Sequence, residues 1–153
     1  MTERIRIRFN LERDDEGWPP ADSEYLWAVT LNSEVARVDS IPFFVPNVAL
    51  DDLVSIRLGP EGSGIFLETL KWSGNSTMRV IPLIDDAEAG IEDVRERLSF
   101  VGVELEALKQ FGIVAVNVRP SADVVQVKRV LDRGEKLGWW TYEEACVGGA
   151  WPQ

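Results

Sequence analysis

The chain has 153 residues, with 16 Lys and Arg against 26 Asp and Glu, a formal net charge of −10, one Cys and no His. Without His there is no Ser-His-Asp triad, no Cys-His pair, no His-ligated zinc and no histidine pH switch. The length suits one domain, which at about 150 residues buries roughly 68–70% of its unfolded surface and needs no covalent staple. The lone Cys146 has no internal disulfide partner. No basic-then-apolar leader precedes the first strand signal, so the expectation is a reduced, cytoplasmic protein. The longest aliphatic run, residues 113–116, is far short of the roughly 20 residues of a bilayer-spanning helix, so no membrane helix is expected.

The acid excess repels phosphate backbones, which argues against a nucleic-acid partner, and serves either plain solubility or attraction to a basic protein. It is uneven. Residues 81–110 hold Asp85, Asp86, Glu88, Glu92, Asp93, Glu96, Glu104 and Glu106 against only Arg95, Arg97 and Lys109. Half of the net charge lies in that segment.

Residues 4–12 alternate, with Ile5, Ile7, Phe9 and Leu11 on one face and Arg4, Arg6, Arg8 and Asn10 on the other, the period-2 pattern of a half-buried strand. Its basic face could grip an anionic ligand, but is expected rather to pair with carboxylates on a neighbouring strand. Residues 14–23 read as a loop. Strand signals follow at 24–31, 36–41, 53–58 and 65–72, each rich in β-branched or aromatic residues. Gly59, Gly62 and Gly64 lie between the last two, but no Gly-Lys-Ser/Thr and no helix start follows, so a hairpin loop is read in preference to a phosphate loop.

Residues 77–83 read as a strand, after which Asp85 and Asp86 cap a helix carrying Ile91, Val94, Leu98 and Val101, with Gly102 as its stop. Leu105 and Leu108 continue the helical spacing and leave a longer helix open. A strand is expected at 112–119, a second helix capped by Ser121, and a closing strand at 139–147. The fold class is therefore α+β: a strand-rich N-terminal half packed with a C-terminal ferredoxin-like β-α-β-α-β half. One domain, 1–153, is expected, with subregions 1–76 and 77–147 and a frayed tail at 148–153.

Three segments then fall into a known pattern: Glu24-Tyr25-Leu26-Trp27-Ala28, Arg37-Val38-Asp39-Ser40-Ile41-Pro42-Phe43-Phe44, and Ser73-Gly74-Asn75-Ser76-Thr77-Met78-Arg79-Val80. With Tyr142-Glu143-Glu144-Ala145 they resemble a bacterial family of uncharacterised proteins, domain of unknown function 4265. The resemblance spans nearly the whole chain and implies no activity. The family often carries His where this chain has Asn75, which puts any imidazole-dependent family role at that turn in question.

Candidate sites follow from the residues themselves. Ser73, Asn75, Ser76 and Thr77, with Arg79 beyond, could form a small anion pocket or could simply bond their own turn. Arg79 is expected to pair with Asp39. Phe43 and Phe44, between Pro42 and Pro46, wall either a groove or the core. Asp51 and Asp52 read as a turn or cap, because hard metals need further oxygens that nothing nearby supplies. No metal and no cofactor is expected. Cys146 reads as a structural thiol. Of the tryptophans, Trp27, Trp72 and Trp140 are expected in the core, and Trp18 and Trp151, beside prolines, as exposed anchors for a partner.

The leading expectation is a noncatalytic acidic binding protein that neutralises or regulates a basic partner, as an immunity protein does. It would use Asp85, Asp86, Glu88, Glu92, Asp93, Glu96, Trp18 and Trp151. The alternative is a small-ligand sensor whose pocket lies near Ser73, Asn75, Ser76, Thr77, Arg79, Phe43 and Phe44. A hydrolase using carboxylates alone would need two of them brought together, which spacing along the chain does not show. The sequence does not set the oligomeric state.

Overall fold

The computed structural model of the chain describes residues 3–152. It divides into two compact units, Met1–Ser73 and Gly74–Gln153, each with its own hydrophobic cluster.

In the first unit β1 (Arg4–Asn10), β2 (Ser23–Thr30), β3 (Val35–Val38), β4 (Leu53–Leu58) and β5 (Gly64–Lys71) close into a barrel in that order. Successive strands pair antiparallel. An odd number of alternating strands brings first and last together in the same direction, and β1 meets β5 in parallel. The alternation of β1 is realised residue for residue: Ile5, Ile7 and Phe9 enter the core and the arginines face out. Leu26, Ala28, Ala36, Val38, Val54 and Ile56 complete the interior, with Val45 and Val48 from the loop between β3 and β4. Register shifts in the β4–β5 pair supply the bending a small barrel needs. Gly59 N–H donates to Ser63 O at 2.7 Å and closes the 59–64 connection as a hairpin loop.

Two tryptophans depart from expectation. Trp27 is 40% exposed, because alternate residues of a barrel strand must face out and hydrophobicity alone does not say which; Trp72 is 59% exposed and lies just past the end of β5. Trp72 donates its indole N–H to Asn47 O at 3.2 Å.

The second unit runs β6 (Ser76–Pro82), α1 (Ala87–Arg97), β7 (Val103–Leu108), β8 (Ile113–Val118), α2 (Val124–Lys136) and β9 (Trp140–Cys146). It is β-α-β-β-α-β, one strand more than the sequence suggested. The sheet has the order β7-β8-β6-β9 with antiparallel pairs throughout. Both helices feed one cluster with Met78, Val80, Val116, Val118 and Trp140. The helix does not continue to Leu105 and Leu108: it ends at Arg97, those leucines lie on β7, and Val101 is 95% exposed. Gly102 sits at φ +85° in the turn into β7, a conformation glycine adopts freely. Asp86 caps α1 by accepting Ala89 N–H at 3.2 Å, as expected. The cap of α2 is Asp123, accepting from Gln126 N–H, rather than Ser121. Among the described residues no helix is long and apolar enough to cross a membrane.

Candidate functional site

The acid-rich segment forms the start and outer surface of α1. Asp85, Asp86, Glu88, Glu92 and Glu96 are exposed, and Asp93 is half-buried. Three of the six are already engaged. Asp86 caps the helix, Asp93 holds Arg97 one turn on at 2.9 Å, and Glu88 lies 3.6 Å from Lys109. Asp85, Glu92 and Glu96 make no ion pair among the described residues. Leu83 and Ile84, just before the helix, are 55% and 52% exposed. The structure thus places Glu92 and Glu96 on one short helix and Asp85 just before its cap, all three without ion pairs among the described residues, beside a small apolar step.

The two tryptophans expected as exposed anchors are not alike. Trp18 is half-buried, its ring set edge-on to Phe44 at 5.8 Å. Trp151 is 2% exposed and belongs to the core of the second unit. Its indole N–H donates to Glu144 Oε2 at 2.6 Å. The proline beside it misled: a large aromatic in a tail can fold back when a core has room for it.

The 73–79 segment straddles the two units. Ser73 ends the first, with its N–H on Asp52 Oδ1 at 2.7 Å and its hydroxyl on Leu50 O at 2.8 Å. Asn75, Ser76, Thr77 and Arg79 belong to the second and are all buried. Ser76 Oγ accepts Gly148 N–H at 2.8 Å. Both serine hydroxyls are thus spent on backbone. Phe43 is half-buried and Phe44 buried in the first unit, where Glu24 accepts the N–H groups of Phe43, Phe44 and Val45 at 2.7, 2.9 and 2.9 Å. Asp51 and Asp52 form a turn: Asp51 has φ +71° and Asp52, fully buried, accepts Ala49 N–H at 2.9 Å. Burial pushes the Asp52 carboxyl above its ordinary value, against the pull of the Ser73 and Ala49 amides.

Asp39 holds Arg4 at 3.2 Å, and Arg79 meets Glu143 on β9 at 2.5 Å, because register sets Arg79 directly opposite Glu143. The same pairing aligns four residues across the sheet: Glu104, Asn117, Thr77 and Cys146 are successive cross-strand partners on β7, β8, β6 and β9. Cys146 is a buried free thiol. Asn117 is fully buried; its amide N–H reaches Glu104 Oε1 at 3.2 Å, while its Oδ1 accepts no hydrogen bond among the described residues. Arg119 grips both Glu104 oxygens, at 2.7 and 3.1 Å, and holds that carboxyl below its ordinary value. On the helix side Tyr142 donates to Asp132, with Lys128 3.4 Å from its hydroxyl. Burial, then Asp132, push the phenol well above the usual range. Sequence reading missed Asn117, which looks like a single polar interruption of an apolar strand, and Glu24, which looks like the polar start of one. Their partners are set by pairing and by a distant loop.

The fold and its polar groups define an acidic α+β protein: a five-stranded barrel followed by a four-stranded sheet with two helices. It belongs to the family described as Domain of unknown function (DUF4265), whose model matches residues 24–142. No curated protein matches the chain. Among solved structures it is similar to one described as a novel crystal structure of a hypothetical protein from Neisseria gonorrhoeae. That protein is 26% identical, with a TM-score of 0.68, over 97% of this chain and 96% of that one.

Proposed function

We propose that this is a noncatalytic cytoplasmic binding protein that neutralises or regulates a basic protein partner in the manner of an immunity protein. The observation that carries the reading is the surface of α1 and of the residues leading into it: Asp85, Glu92 and Glu96 lie exposed without ion pairs among the described residues, beside exposed Leu83 and Ile84. Uncompensated acids steer a basic partner and speed its encounter, and a small apolar step gives it something to bury. A ferredoxin-like second unit is part of the same proposal, supported by its β-α-β-β-α-β order and the sheet order β7-β8-β6-β9. Affinity capture from the native cell tests it. A basic protein should be held at low salt and released at high salt, and a variant carrying Asp85→Asn, Glu92→Gln and Glu96→Gln should lose it. Capture of no basic protein, or capture indifferent to the three substitutions, overturns the proposal.

A second reading, a small-ligand sensor, is favoured by Asn117, a buried acceptor without a donor beside the Thr77 and Cys146 row. A thermal-shift screen against metabolites discriminates, since a ligand raises stability by RT ln(1 + [L]/Kd). An Asn117→Ala variant that responds as the wild type does removes that support.

A further inference from the structure

The barrel carries a second feature, opposite in charge to the α1 face. β1 presents Arg4, Arg6 and Arg8 outward at two-residue intervals, which along a strand is about 6.6 Å. β2 lies beside it, in register, with Val29 opposite Arg4, Trp27 opposite Arg6 and Tyr25 opposite Arg8. The guanidiniums do not rest on their direct neighbours. Arg4 lies over Trp27 at 4.4 Å and Arg6 over Tyr25 at 4.7 Å from the ring centroids, each leaning to its diagonal partner. The lean is the same twice, so the two cations are held on a common repeat.

Stacking on a ring uses the face of a guanidinium and leaves its in-plane N–H edge to bind something else. Arg4 gives its Nε to Asp39 at 3.2 Å. Arg6 and Arg8 form no ion pair among the described residues. The open groove over these pairs has a volume of about 530 Å³, and Arg4, Arg6, Tyr25, Trp27, Gly62 and Ser63 line it. Among the described residues no carboxylate is part of its lining, in a chain with 26 acids. Solubility alone would not keep the oriented, ring-backed Arg6 clear of the prevailing charge.

We propose that this groove binds an extended acidic peptide segment of a partner protein, with carboxylates at alternate residues. A carboxylate matches the arginine fork in a bidentate pair. An extended peptide repeats its same-face side chains every two residues, the spacing of Arg4 and Arg6. Single-stranded nucleic acid has a comparable charge spacing but binds such surfaces by stacking bases on aromatic faces. Here the guanidiniums cover the outward ring faces, and the net charge repels a long polyanion. The proposal does not depend on the α1 reading, which concerns the other unit and the opposite charge.

The test is fluorescence anisotropy on the full chain with a labelled octapeptide of alternating Glu and Ser. Its comparisons are a peptide of the same composition with the four Glu in one block, and a labelled thymidine 12-mer. The alternating peptide should bind at least about fivefold tighter than the block peptide, and more weakly as salt rises. Arg6→Ala should weaken it by at least about fivefold, and Arg6→Lys, which keeps charge but loses the fork, by about threefold. Tyr25→Leu removes the ring beneath Arg6 without altering charge and should cost about threefold. Lys136→Ala, on an exposed helix position in the other unit, should leave binding unchanged. Equal binding of the two peptides, no binding of either, tighter binding of the oligonucleotide, or indifference to Arg6 and Tyr25 overturns the proposal.

Discussion

Glu24 accepts three successive amide N–H groups from residues 43–45, so one carboxylate holds the turn of chain that leaves β3. Removing it leaves buried donors unsatisfied at about 1–3 kcal/mol each. Glu24→Ala is expected to lose about 3 kcal/mol in urea unfolding, and Glu24→Gln, which keeps one acceptor oxygen, about half of that. Two other carboxyls act on the acid limb with opposite signs. Asp52 is raised above 3.8, first by desolvation. Its folded state takes the proton more readily than the unfolded chain does, so its contribution is full below 3.8 and is lost as pH rises through the raised folded value. Glu104 is lowered from 4.5, first by the Arg119 hydrogen bonds. Its contribution is present above 4.5 and is lost as pH falls through the depressed folded value. Unfolding measured from about pH 3 to 6 should show the wild-type advantage over Asp52→Asn shrinking as pH rises. The advantage over Glu104→Gln should grow, to about 0.5 kcal/mol because that pair is half exposed and screened. These roles were hidden in the sequence for a physical reason. Glu24 lies 19 to 21 residues from its partners, and nothing local distinguishes it from a solvated strand residue.

Alternation within a strand is written in neighbouring residues, and β1 and β4 were legible to within a residue or two for that reason. The segment from Val103 to Leu108 alternates too, but Leu105 and Leu108 also satisfy the spacing of the preceding helix, and only the pairing with β8 decides between them. Helix α2 shows the converse. Val127, Leu131 and Gly134 form its buried stripe, and Gly134 reads in sequence as a weakness in the helix. In the fold it is where Trp140 comes closest: a Cβ there would lie 2.2 Å from the indole, whose N–H is fixed on Leu131 O at 3.0 Å. Gly134→Ala gains about 1 kcal/mol of helix propensity and should still lose about 2 kcal/mol net, because the overpacked indole cannot move off. A lowered Tm with a changed near-ultraviolet tryptophan signal checks this.

Two hydrophobic clusters serve two units, and each unit encloses enough core to be tested by itself. A fragment of residues 74–153 is expected to unfold cooperatively, with a near-ultraviolet signal from buried Trp140 and Trp151. A fragment ending at Ser73 should be more stable than one ending at residue 72 by about 1–2 kcal/mol, since Ser73 bonds both Asp52 and Leu50. Composition announced an acidic chain and the order of strand and helix signals an α+β one. Neither announced a closed barrel, because closure joins β1 to β5 across most of the first unit and leaves no local mark. That closure is narrow. β1 pairs with β2 along its whole length, from Arg4 to Asn10, but with β5 only at Ile7 and Arg8. The seam is where the barrel would breathe, and its amides should exchange with deuterium before those of the β1–β2 ladder. A parted seam bares two strand edges, each a template for a neighbouring molecule. The arginines spaced along β1 then act as gatekeepers, repelling an identical edge before the two can zip together.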